Sequence, residues 1–134
     1  MYERLLGSVL LRLMKGKGYM KIKIIINNII PFKGFKALTL WPWIFCRKAL
    51  KDVDVNHEMI HVRQQEEMLI VLFFIWYVIE WVIRLAIYWN FDEAYRNISF
   101  EQEAYDHEAE HYYLSVRKHF AWFRYLTKKS YEKN

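Results

Sequence analysis

Two five-residue stretches of this chain, HEMIH at 57–61 and HEAEH at 107–111, spell the same pattern, HExxH. Residues four apart on a helix project from one face, so His57 and His61 can share one Zn²⁺ through their ring nitrogens. Glu58 then lies beside the metal without ligating it, placed to take the proton of a water that the metal has acidified. That chemistry is hydrolysis. It requires a third protein ligand and a fourth position left open for water and substrate.

The two copies differ in their variable positions. In the first, Met59 and Ile60 are apolar and Val62 follows, so the helix can be buried behind its ligands. In the second, Ala109 and Glu110 fill those positions, with Asp106 before them and Glu103 a turn earlier. That is the pattern of a charged, solvated helical face. The second stretch can serve the first in another way. Its helix begins "SFEQEAY", where Ala104 allows close approach of a neighbouring helix and Glu101 shares the face of Ala104 and Tyr105. A helix packed through Ala104 points Glu101 at its neighbour. Glu103 lies about 100° round the helix from Ala104 and is the second choice.

With "NHEMIH" and "FEQEAY" on one chain, about forty residues apart, the sequence resembles the gluzincins. These are zinc metallopeptidases with HExxH and a downstream glutamate in an ExxA-type helix. The resemblance implies one Zn²⁺, His57, His61 and Glu101 as its ligands, Glu58 as general base, and a peptide or protein as substrate. Many gluzincins carry an acidic or amide residue four positions after the ligand glutamate. Here that position is Tyr105, with Asp106 one further on, so the partner of a ligand histidine is not assigned. Tyr105 is the nearest candidate for an oxyanion contact. Membrane-embedded gluzincins are also similar in having apolar helices between the two motifs.

What must position these residues is a single domain of 134 residues, α+β in class. All four glycines and both prolines fall within 7–42. Residues 1–53 read as an amphipathic helix, with Leu5, Leu6, Val9, Leu10 and Leu13 on one face, followed by a β-hairpin of "KIKIII" (21–26) and "KALTLWPWIF" (36–45). Either strand offers an edge to an extended peptide. Residues 54–128 read as the helical, metal-binding part. Asp52 or Asp54 caps the first helix there, and Ser99 with Gln102 has the form of a capping box opening a helix to about Tyr125.

Residues 68–79, MLIVLFFIWYVI, are apolar without a break. The run is shorter than the roughly 18 residues of a membrane span, and Glu80 and Arg84 beyond it can pair on one face. A single span here would also hold His61 and Glu101 about 30 Å apart across hydrocarbon. The zinc reading therefore demands a buried or interfacial helix at 68–89, and a chain break between about Gln64 and Glu80. No glycine or proline marks that break.

Hydrophobic residues make up 54% of the chain and aromatic residues 19%, which suits a tightly packed helical domain or one resting against a membrane. The net charge of +5 is scattered, and no run is dense enough for a nucleic-acid arm. The lone Cys46 excludes a disulfide framework and a CxxC site and reads as a buried hydrophobe. No signal-peptide pattern is recognised, so a cytoplasmic or peripheral membrane location is expected. Two other readings remain in the sequence. Glu58–His61 and Glu108–His111 are both ExxH pairs, as in di-iron carboxylate bundles, with Glu80 as a further ligand. The aromatic content and the basic tail RYLTKKSYEK also suit a non-catalytic protein of membrane surfaces or partners.

Overall fold

The computed structural model describes residues 22–128, so the amphipathic segment around Leu5–Leu13 lies outside the described residues. The fold is α+β. Strands β1 (Lys23–Ile26), β2 (Ala37–Leu40) and β3 (Trp43–Cys46) precede five α-helices: α1 (Asp52–Glu67), α2 (Val71–Tyr88), α3 (Phe91–Arg96), α4 (Ser99–His107) and α5 (Tyr113–Val116). A short 3-10 helix, Ala121–Tyr125, follows.

The expected pairing of 21–26 with 36–45 is corrected. Residues 36–45 are not one strand but two, because the chain reverses at Trp41–Pro42, and Pro42 has no N–H to continue a ladder. β2 and β3 form the antiparallel hairpin, with Leu40 opposite Trp43. β1 joins the other side of β3 in parallel, with Lys23 opposite Trp43 and Ile26 opposite Cys46. Alternation along β3 buries Ile44 and Cys46, which pack with Leu50, Val55, Ile60 and Ala104.

α1 is capped by Asp54, whose Oδ2 accepts the Lys51 backbone N–H at 3.3 Å. Its residues from Val55 to Val62 are all buried, polar ones included. The break between α1 and α2 falls at Met68–Ile70 and is made by ordinary residues in an unusual backbone. Leu69 and Ile70 have φ of 54° and 59°, and the Val71 N–H donates to the Leu69 carbonyl at 2.6 Å across a γ-turn. This reversal brings α4 back beside α1.

α2 is long and apolar enough to cross a membrane, yet only Phe73 and Glu80 among its eighteen residues are buried. Of the two expected forms, buried or interfacial, the helix is not the buried one: it buries one narrow face, with half-buried residues beside it, and exposes the opposite side. Glu80 and Arg84 do pair, at 3.2 Å.

Two expectations for α4 are also corrected. Ser99 is not an N-cap; its N–H and hydroxyl donate to Glu80 at 2.8 and 2.6 Å. Nor does the helix run to Tyr125. It ends at His107 because the Asn56 side-chain amide donates to the carbonyls of His107, Glu108 and Glu110 at 3.2, 2.8 and 3.1 Å, satisfying a helix end that would otherwise continue.

Candidate metal centre

His57 and His61 stand one turn apart on α1, and Glu101 faces them from the first turn of α4, packed through the fully buried Ala104. The three side chains meet. His57 Nε2 and His61 Nε2 are 3.2 Å apart, Glu101 Oε2 is 3.2 Å from the first and Glu101 Oε1 is 3.3 Å from the second. All three residues are buried, and they form a group that could hold a metal ion. Two nitrogens that share one tetrahedral metal at about 2.1 Å lie about 3.4 Å apart, so the spacing of the imidazoles fits such an ion.

The charges argue in the same direction. Burial opposes a proton on His57, but its hydrogen bonds to Glu101 and Glu108 outweigh that cost and push its pKa up to about 10. Burial opposes protonation of His61 as well, and the Glu101 charge overrides it, so its pKa is also raised. Burial works against the Glu101 carboxylate, yet the two histidines hold its pKa below the usual range. Such a cluster demands positive charge. Protons provide it here, and a divalent cation would take their place.

Each donor is held from behind. Glu108 accepts from His57 Nδ1 at 2.8 Å. His61 Nδ1 meets Gln64 Oε1 at 2.8 Å, and Gln64 Nε2 donates to the Phe100 carbonyl and to Glu103 Oε2 at 3.0 and 2.9 Å. The Tyr77 hydroxyl of α2 donates to Glu101 Oε1 at 2.8 Å. Outer hydrogen bonds of this kind fix ring orientation at metal sites.

Glu58 is buried on the adjacent side of α1, where the Thr39 hydroxyl of β2 donates to its Oε2 at 2.6 Å. A cavity of about 840 Å³ opens beside His57 and Glu58, walled by Tyr77 and Trp81 of α2, Tyr95 of α3 and Tyr105 of α4. The Tyr105 ring lies edge-on to His57, 4.6 Å between centroids, and Arg96 sits 5.3 Å from the Tyr105 centroid.

The alternative ligands are placed elsewhere. Glu103 is fully buried but points away from the cluster, bonded to Arg117, Tyr113 and Gln64; it lies two residues past Glu101, about 200° round α4, and so on another side of the helix. Asp106 pairs with Lys128 at 2.9 Å and takes no part. Tyr105 is a wall of the cavity. The second HExxH is only partly the solvated face its composition suggests. His111 is exposed in a turn, whereas His107 is tied to Glu110 and Tyr125 at 2.8 and 3.1 Å and stacks on Tyr113. Of its ExxH pair only Glu108 reaches the first motif, at His57 Nδ1, while His111 is turned to solvent, and Glu80 is engaged with Ser99 and Arg84.

Reasoning from sequence missed Glu108, Gln64, Thr39 and Tyr77. A signal existed for two of them: Glu108 is seven residues after Glu101 and therefore on its face, and Gln64 is three after His61. Thr39 and Tyr77 arrive from other elements and leave no local spacing to read. Comparison with models of protein families, with curated proteins and with solved structures returns no match for this chain.

Proposed function

We propose that the chain is a zinc-dependent metallopeptidase of gluzincin type. The observation that carries this reading is the convergence of two imidazole nitrogens and one carboxylate beside a cavity, with a second carboxylate, Glu58, lining that cavity outside the donor group. A set of two histidines and one glutamate leaves a fourth position open, as hydrolytic zinc sites do. When bound, zinc supplies a Lewis acid that polarises a carbonyl and lowers the pKa of water towards neutrality.

The protein's own groups supply the rest. Glu58 accepts a proton from the attacking water and returns it to the departing amine. Thr39 orients Glu58 through a hydrogen bond to one oxygen, leaving the other for this exchange. Glu108, Gln64 and Tyr77 hold the donors in place. The aromatic walls of the cavity exclude water around the reacting peptide, and Tyr105, whose ring lies edge-on to His57, supplies the oxyanion contact.

The test is metal analysis of the purified full chain combined with cleavage of a peptide library. We expect about one zinc per chain and cleavage that a chelator abolishes and added zinc restores. Two irons per chain would favour the carboxylate di-iron reading, and absence of any tightly held metal would sink the proposal.

A further inference from the structure

The geometry points to a lipid bilayer as the partner of α2: we propose that its outward face docks on an anionic membrane surface, with the helix lying along that surface. The helix has reversed polarity. Its only charged residues, Glu80 and Arg84, turn inward to Ser99 and the Leu126 carbonyl, while Val71, Ile75, Val78, Ile79, Val82 and Ile83 are each about half or more exposed. At 100° per residue the exposed positions cover a continuous arc of about 180°, with no polar side chain in it.

This arc is wider and longer than the alternatives would fill. A partner helix, or a second copy meeting this one helix to helix, covers a stripe of about 100°. From Val71 to Ile87 the exposed arc runs about 24 Å along the helix. Hydrocarbon covers a broad, featureless aliphatic face without needing shape.

The flanks fit a headgroup layer. Trp89, at the end of α2, is 89% exposed and Phe91 follows it. The segment alongside α2, fixed by Phe120 on Glu67, Trp122 near Trp76 and Leu126 on Arg84, carries exposed Phe120 and Phe123 together with exposed Lys118 and Arg124. Aromatic and basic residues side by side are what an anionic interface selects. The bilayer is met sideways and not crossed, because α3 packs along the helix, the start of α4 meets it through Ser99 and Phe100, and α3 carries an exposed Asp92–Arg96 ion pair. The face also borders the cavity through Val78, so a docked protein would hold its cavity beside the membrane surface.

The full chain should be floated with vesicles of phosphatidylcholine alone and with a third of phosphatidylglycerol, next to an Ile79→Glu/Ile83→Glu variant and a single Ile87→Glu variant. These positions are exposed, so circular dichroism and melting temperature should match wild type. We expect flotation with anionic vesicles, less with neutral ones, and a loss of roughly tenfold or more in the double variant. No flotation of the wild type would overturn the proposal, pointing to a second copy if sedimentation shows a dimer and to the N-terminal segment if it shows a monomer. Flotation unchanged in both variants would place the contact elsewhere and overturn it too, and equal flotation with both lipids would remove its anionic part. None of these readouts depends on hydrolysis.

Discussion

The carboxylate of Glu108 lies 2.8 Å from His57 Nδ1, so the second HExxH stretch braces the first without repeating its role. The bond turns Nε2 of the same ring toward Glu101. Glu108→Gln keeps an acceptor and loses the charge, and Glu108→Ala loses both. Zinc affinity should fall roughly 10- to 100-fold for the alanine variant and less for the glutamine, with the fold intact because this side chain is 29% exposed. Competition titration with a chromogenic chelator measures both, and unchanged affinity in the alanine variant would show that Glu108 orients nothing.

Three of the four histidines of the two motifs should separate cleanly. His57→Ala and His61→Ala are each expected to abolish stoichiometric metal binding, while His111→Ala, altered at an exposed turn residue, should retain about one ion per chain. Metal analysis after gel filtration decides this. Equal loss from His111→Ala would mean that the second motif supplies a ligand.

Glu58 and Glu101 should also differ in kind. Glu58→Gln is expected to keep its metal and to lose hydrolysis by roughly 10²–10⁴, the usual contribution of general acid–base catalysis. Glu101→Gln should lose metal itself, since an anionic donor has become neutral. If the two variants lose metal equally, Glu58 is a ligand and the hydrolytic role assigned to it fails.

The break at Leu69 predicts a gain. Leu69 has φ of 54° and is 74% exposed, so its side chain contributes little packing while its Cβ strains the left-handed backbone. Leu69→Gly should raise stability modestly, by about 0.5–1 kcal/mol after the entropy of glycine in the unfolded chain is counted. Urea denaturation measures it, and a clear loss of stability would show that Leu69 packs against something in solution.

The pattern of residues carried the metal cluster further than it carried the backbone. His57, His61 and Glu101 were readable because helical spacing fixes which side chains share a face, and Ala104 marks where a second helix can approach. The γ-turn at Leu69–Ile70 has no glycine or proline to announce it; only the need to bring Glu101 to His61 places a break there. The hairpin was misread because two apolar strands joined by Trp41–Pro42 look like one long strand. The early end of α4 was invisible for another reason: Asn56, which caps it, is 51 residues from His107 in the chain.

Gln64 decides something about His61 that no residue in the cluster decides. Its NH₂ group faces two acceptors, the Phe100 carbonyl and Glu103, and Glu103 is itself pinned by Arg117, which also grips Glu67 at the end of α1. The amide therefore cannot flip without setting its NH₂ against Nδ1 and its oxygen against two acceptors. Its oxygen must face His61, so His61 holds a proton on Nδ1, and Nε2 is the nitrogen that gives up its proton when a cation replaces it. A guanidinium at the far end of the network thus selects the tautomer of the imidazole, and the donor atom is chosen before any ion arrives.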